Sequence, residues 1–298
     1  MSNTRSLEIQ VVGGLGNQFF GFAAGLVLAR TLNLKPVVNL ERVGFGSNLS
    51  RKPDLQNIDF GTLEGCITFV NSRKSNSAHL YEIIRRFSRD FLPILVSHSE
   101  PGYIDSFEVP SEQIKRISPN TRSIGGPFMD FAWVELAKRF GFPTHLMPKI
   151  CTKKFLDACN ITSYADIGIH IRLGDYLKYP DIFPIAPESY YLGALEYLDY
   201  KKDQNIHIFT DSPKLARDKF PRLFQLRGVQ IVDPKQELSA LETMSVMSRY
   251  SNLITSNSTF SSWAGWFSAD KKVVTPIPHH FNHWRDTLPN HWMRINIK

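Results

Sequence analysis

The sequence predicts an α/β fold on parallel sheets, divided between two domains of about 150 residues each. Three observations predict it. From residue 166 onward, short apolar runs of strand period alternate with helical stretches, the pattern of a parallel sheet covered by helices. Near the amino end a strand runs through a glycine-rich turn into an apolar helix. The length of 298 residues exceeds that at which a single hydrophobic core usually stops growing. The stretch 141–150, with Pro143 and Pro148, is the best linker, giving domains 1–150 and 151–298.

In chain order, residues 7–12 read as a strand. It leads through Gly13-Gly14-Leu15-Gly16-Asn17-Gln18 into a helix from about 19 to 32. Such a turn gathers backbone N–H groups and the positive end of a helix dipole where an anion or a polarised hydroxyl can approach. Phe19 stands where the dinucleotide fingerprint needs its third glycine, and no Gly-Lys-Ser/Thr follows as in a P-loop. A tight strand-to-helix turn would explain Gly14 and Gly16 but not the adjacent Asn17-Gln18 pair. A strand at 36–40 and a polar surface loop at 41–59 follow, then a helix at 78–91 whose Arg85, Arg86 and Arg89 form a solvated face. Residues 103–107 and 121–128 read as extended, and 130–140 as an amphipathic helix stopped by Gly141-Phe142-Pro143.

The second half opens on Asp166-Ile-Gly-Ile-His-Ile-Arg-Leu-Gly-Asp175, where Ile167, Ile169 and Ile171 alternate with Gly168, His170 and Arg172 and Gly174-Asp175 ends the strand. Helices at 187–201, 213–220, 235–249 and 259–269 then alternate with strands at 206–209, 229–232, 252–255 and 271–275. Three strand ends carry polar residues: His170, Arg172 and Asp175; Thr210, Asp211 and Ser212; and the run 256–262, with Ser258 and Thr259 where a helix begins. Each alone reads as readily as a cap or a turn. Parallel strands put their carboxyl ends along one edge, so together these residues would surround a phosphorylated ligand, for which arginine's planar fork is suited.

The excess of 35 Lys plus Arg over 28 Asp plus Glu, a net charge of +7, favours anionic partners. No element concentrates basic residues as a nucleic-acid interface would, so nucleic acid is excluded as the partner. Cys66, Cys151 and Cys159 lack metal-ligand spacing and read as reduced thiols, and no apolar run approaches the ~20 residues needed to cross a bilayer. The expected location is the cytoplasm, with room for peripheral contact at the inner membrane. Trp263 and Trp266 read as core, and the tail with His279, His280, His283 and His291 as packed or surface chain rather than a metal site. Asp-x-Asp, which many nucleotide-sugar transferases use to hold a metal, does not occur.

Four ordered stretches, Gly13 to Phe20, His170 to Tyr176, Phe209 to Ser212 and Asn257 to Ala264, resemble glycosyltransferase family 11, the inverting α-1,2-fucosyltransferases that use GDP-fucose. The resemblance implies a GT-B-like architecture, two Rossmann-like domains facing across a cleft, with the first on the acceptor side and the second holding GDP-fucose. It implies that Arg172 neutralises the β-phosphate with His170 beside it, and that Ser258, Thr259, Phe260 and Ser261 line the phosphate and nucleoside pocket. Asp211 is implied as a ribose or guanine contact, joined in donor binding by Thr210, Asp175, Gly14, Gly16 and Gln18, and Asn17 as facing the fucose and the incoming hydroxyl. The implied acceptor is a terminal β-galactoside such as lactose or a surface-polysaccharide precursor. The chain departs from the family pattern at Leu173, where a second Arg is common, at Ser212, where a second acidic residue is common, and at Gly21-Phe22. The expected enzyme needs no metal, Arg172 and the helix start at Ser258-Thr259 taking the cation's place. Asp175, His170 and acidic residues of the first half are all candidates for a general base.

Overall fold

A computed structural model describes residues 5–43, 52–71, 103–105, 114, 117–126, 128–162, 166–268, 271–278 and 288–297. The expected helix at 78–91 with its arginines, part of the 41–59 loop, and His279, His280 and His283 lie outside the described residues. The chain forms two α/β units, Met1–Pro53 with Thr62–Gly141, and Asp54–Gly61 with Phe142–Lys298. The division thus falls between Gly141 and Phe142, and a short piece of the first half belongs to the second unit.

The first unit has a five-stranded parallel sheet. Its strands are β1 (Ser6–Gln10), β2 (Lys35–Asn39), β3 (Thr68–Val70), β4 (Tyr103–Asp105) and β5 (Ser123–Gly125), in the order β3-β2-β1-β5-β4. Helix α1 (Leu15–Thr31) is apolar on all sides and correspondingly buried almost throughout. Its close approach to the sheet requires glycine: a Cβ on Gly25 would lie 2.5 Å from Ile9 Cδ1, and one on Gly21 3.0 Å from the Gly126 carbonyl oxygen. Helix α2 (Phe131–Lys138), capped by Asp130, packs Phe131 edge-on against Phe20 of α1, with ring centroids 4.8 Å apart.

The second unit carries a six-stranded parallel sheet. Its strands are β6 (Ile167–Ile171), β7 (Ile206–Thr210), β8 (Val229–Ile231), β9 (Asn252–Ile254), β10 (Lys272–Ile277) and β11 (Met293–Asn296), in the order β11-β10-β9-β6-β7-β8. The helices are α3 (Lys153–Asn160), α4 (Glu188–Tyr197), α5 (Pro213–Lys219), α6 (Pro221–Phe224), α7 (Ala240–Met247) and α8 (Thr259–Trp266). Helices cover both faces of such a sheet, so β6 is buried along its whole length and both sets of its alternating residues face packed surroundings. Trp263 is buried in the core, as expected, whereas Trp266 is half-buried; both rings pack against Phe142 and Phe267.

Several boundaries differ from those read in the sequence. Helix α1 begins at Leu15, with Gly14 as its N-cap and the Gln18 N–H donating to the Gly14 carbonyl, so Gly16, Asn17 and Gln18 form its first turn. The expected helix 235–249 shortens to 240–247 because the Asp233 carboxylate accepts the N–H groups of Glu237 and Leu238, holding a turn, and Ser239 with Glu242 forms a capping box. The expected helix 213–220 is observed as Pro213–Lys219, and Pro221 starts a second short helix, Pro221–Phe224, that was not expected. Residues 142–150 pack rather than hang loose: Phe142 and Leu146 are buried, and Pro148 bridges to Ile58. Strand β11, beside β10, falls in the tail that had been read only as packed or surface chain. Among the described residues no helix is long and apolar enough to cross a membrane.

Candidate active site

The topology puts a crevice at one place in each sheet. In the second unit the chain steps outward from β6 to β7 and β8, then returns to the other side of β6 with β9, β10 and β11, so the order reverses between β6 and β9. Ligands of open α/β sheets bind outside the carboxyl ends of the strands at such a switch point. The residues delivered there are Arg172 after β6 and Thr255-Ser256-Asn257-Ser258 after β9, with Thr210 and Asp211 at the end of neighbouring β7. In the first unit the reversal lies between β1 and β5, where the glycine-rich turn leaves β1.

Arg172 is the centre of the second-unit cluster. Its Nε and Nη2 donate to Asp175 Oδ1 at 3.0 and 2.7 Å, and its Nη1 pairs with Asp211 Oδ2 at 3.0 Å. Two of the five guanidinium N–H groups are thus hydrogen-bonded to Asp175 and Nη1 is ion-paired with Asp211, which leaves N–H groups for an anion's oxygens. Asp211 also reaches back to the turn, its Oδ1 accepting the N–H groups of Leu173 and Gly174 at 3.1 and 3.3 Å. Gly174 makes this possible, for a Cβ there would lie 2.6 Å from Asp211 Oδ2. The guanidinium carbon sits 5.6 Å from the centroid of the Tyr176 ring, which stacks on Phe183 and donates its hydroxyl to the Asn257 carbonyl at 3.2 Å. Burial above all pushes the Tyr176 phenol up to about 12.

His170 lies on β6, 4% exposed, with Nδ1 2.9 Å from Ser256 Oγ and its ring 5.6 Å from that of Phe260. Burial first, and the Arg172 charge second, lower its pKa to about 3, so it is a neutral imidazole at physiological pH. The start of α8 is closely tied: Ser258 Oγ accepts the Phe260 N–H, and the hydroxyls of Ser261 and Ser262 donate to the Ser258 carbonyl. Thr210 Oγ1 accepts the Ser212 N–H at 3.2 Å, which fixes the turn after β7. Ser256, Asn257 and Tyr176, which join these groups together, were not singled out from the sequence. They lie inside the motif stretches, but their partners stand 81 to 86 residues away in the chain.

In the first unit, Gly13 adopts the left-handed backbone region with φ +75°, and a Cβ there would meet Asn17 Nδ2 at 2.9 Å, so the Asn17 amide lies folded over the turn. Gln18 is fully buried; its Nε2 donates to the Gly13 carbonyl at 3.1 Å and the Lys52 carbonyl at 3.0 Å. It braces the turn and the segment at Lys52 from within. Gly14 is the N-cap and Gly16 is buried in the first turn of α1. Structure thus groups Arg172, Asp175, Thr210, Asp211, His170, Ser258, Thr259, Phe260 and Ser261 at one sheet edge, and Gly14, Gly16, Asn17 and Gln18 at that of the other unit. Among the described residues there is no group of three or more His, Cys, Asp or Glu placed to hold a metal ion.

No protein-family model matches this chain. It is 26% identical over 283 residues, 89% of this chain and 91% of the relative, to the O-antigen biosynthesis glycosyltransferase WbnK of Escherichia coli. It is 25% identical over 318 residues, 96% of this chain and 97% of the relative, to an alpha-1,2-colitosyltransferase of the same organism. Among solved structures, a mutant FUT1 of Arabidopsis thaliana in complex with GDP superposes with a TM-score of 0.50 at 11% identity, covering 91% of this chain and 70% of the other. By sequence over nearly its whole length the chain is similar to glycosyltransferases, and its fold is GT-B-like, two α/β units each built on a parallel sheet.

Proposed function

We propose that this chain is a nucleotide-sugar-dependent glycosyltransferase that moves L-fucose from GDP-fucose to the 2-OH of a terminal β-galactoside, with inversion and without a metal ion. The observation that carries this reading is Arg172, held by Asp175 and Asp211 at the switch point of the second sheet, beside the start of α8. Breaking the bond between the anomeric carbon and the diphosphate builds negative charge on the departing GDP. A guanidinium and oriented backbone N–H groups stabilise that charge most where water is scarce. Neutral His170 beneath them adds no charge of its own and offers its ring as a fixed wall.

Direct attack by the acceptor oxygen inverts the donor's β-linkage to an α-linked product. A buried imidazole with a pKa near 3 is a weak base at neutral pH, which leaves Asp175 and the acidic residues of the first half as the candidates to take the acceptor proton. Asn17, a neutral amide over the first-unit turn, orients groups by hydrogen bonding. The positive net charge suits an anionic donor and an anionic membrane surface on which a polysaccharide precursor is held.

A second reading keeps the site and changes the sugar: the relative at 25% identity is an alpha-1,2-colitosyltransferase, which favours a deoxysugar donor other than fucose. The decisive test incubates purified protein with GDP-fucose and EDTA, with and without lactose or N-acetyllactosamine, and determines the linkage of any product. Acceptor-dependent GDP release with an α-1,2-fucosylated galactose is expected. Turnover only with a colitosyl donor would favour the second reading, and failure to bind GDP would overturn both.

A further inference from the structure

Both carboxylate oxygens of Asp211 are engaged within the protein. One oxygen receives two successive backbone N–H groups, of Leu173 and Gly174, and the other pairs with Arg172 Nη1. Its own carbonyl accepts Gln236 Nε2 at 3.2 Å, which fixes the residue from behind. Two adjacent N–H groups converging on one oxygen make a backbone anion site, and a side chain from the neighbouring strand fills it. The turn after β6 is thereby fastened to the end of β7, and the guanidinium is tethered from the same carboxylate.

We infer that Asp211 is a positioning residue, which sets the Arg172 guanidinium for the donor's diphosphate rather than touching the nucleoside. This rests on the glycosyltransferase reading above and deepens it. Asp175 and Asp211 differ in this respect. Asp175 contacts the guanidinium from three residues along the same loop and is 44% exposed, whereas Asp211 comes from a different strand and is 22% exposed. The cross-strand carboxylate therefore defines where the guanidinium stands relative to the sheet. Arginine's planar fork loses its two-point grip on a phosphate when it is free to rotate.

The test separates the phosphate end of the ligand from the nucleoside end. Binding of GDP and of inorganic pyrophosphate is measured for the wild-type chain, Asp211→Asn, Arg172→Ala and the double variant. Asparagine keeps an oxygen for the two backbone N–H groups but can present an amide N–H toward Arg172. A positioning role predicts that Asp211→Asn weakens both ligands by the same factor, about 10- to 100-fold, and costs nothing further in the Arg172→Ala background. Loss of GDP affinity with pyrophosphate unchanged would overturn the inference in favour of a nucleoside contact, and additive losses would reduce Asp211 to a general structural role. Gly174→Ala provides a second route should Asp211→Asn fold poorly. Its Cβ would displace Asp211 Oδ2 while leaving the carboxylate's charge, and it is expected to weaken both ligands equally. Failure of the wild-type chain to bind either ligand would overturn the glycosyltransferase reading itself, and this inference with it.

Discussion

His170 Nδ1 stands 2.9 Å from Ser256 Oγ, joining the carboxyl end of β6 to that of β9 across the switch point of the second sheet. The serine hydroxyl also lies 3.4 Å from Ser261 Oγ at the start of α8. A short chain of polar groups thus runs from the central strand to the start of α8. Ser256→Ala leaves a buried ring nitrogen without its partner and is expected to destabilise the fold by about 1–3 kcal/mol. Urea unfolding of the variant against the wild type measures it.

Arg172→Ala should abolish most turnover. Removing one preorganised donor to a developing negative charge costs on the order of 10²–10³ in kcat, and here the whole guanidinium is lost. Lysine should not restore the rate, because a point charge cannot reproduce the fork that Asp175 and Asp211 hold. Initial rates of GDP release at saturating acceptor check both variants.

Chelation should leave the rate unchanged, since the proposed charge stabilisation comes from Arg172 and backbone N–H groups. The check is turnover in excess EDTA after dialysis against chelator. Lost activity regained on adding a divalent ion would refute metal independence.

Acid should unfold the second unit early. His170 is lowered to about 3, and His207 is lowered as well, in both cases first by burial. A folded-state pKa below the unfolded value of about 6.5 means that the unfolded chain binds the extra proton, so stability falls as pH drops below about 6.5. The slope contributed by His170 is about 1.4 kcal/mol per pH unit down to its folded pKa. Denaturant midpoints at pH 7.5 and 5.0 should differ accordingly, and replacing His170 by an uncharged side chain should flatten the difference.

Gly168→Ala should be costly although it adds one methyl group. The Cβ would lie 2.9 Å from Cγ of Tyr250, and Tyr250 cannot yield freely because its hydroxyl is 2.8 Å from His207 Nδ1. A loss of about 1–3 kcal/mol is expected. Thermal unfolding followed by circular dichroism reads it, and the combination with Tyr250→Phe should cost less than the sum of the two singles.

Much of this was legible in the sequence for a physical reason. Isoleucines at 167, 169 and 171 with a glycine between them fix a buried strand, and polar residues placed just after three such strands must fall along one edge of a parallel sheet. Local competition was harder to read: the side chain of Asp233 captures two N–H groups, so a stretch of helical period stays a turn until Ser239. Partners distant in the chain left no local trace, which is why Ser256 and Asn257 were not separated from their neighbours and why the ion pair between Asp211 and Arg172 was not read.

The segment Asp54–Gly61 carries a consequence for synthesis. It belongs to the second unit, with Leu55, Ile58 and Phe60 buried and its backbone exchanging hydrogen bonds between Asp59 and Met147 and between Lys149 and Asn57. On the ribosome it emerges long before residues 147–149, with which it pairs, so the two units cannot mature strictly one after the other. Three apolar side chains must wait, exposed to chaperones, until residues beyond 142 leave the exit tunnel. A fragment beginning at Phe142 would lack them altogether, and a gene split at that point should yield two poorly soluble halves that recover only when produced together.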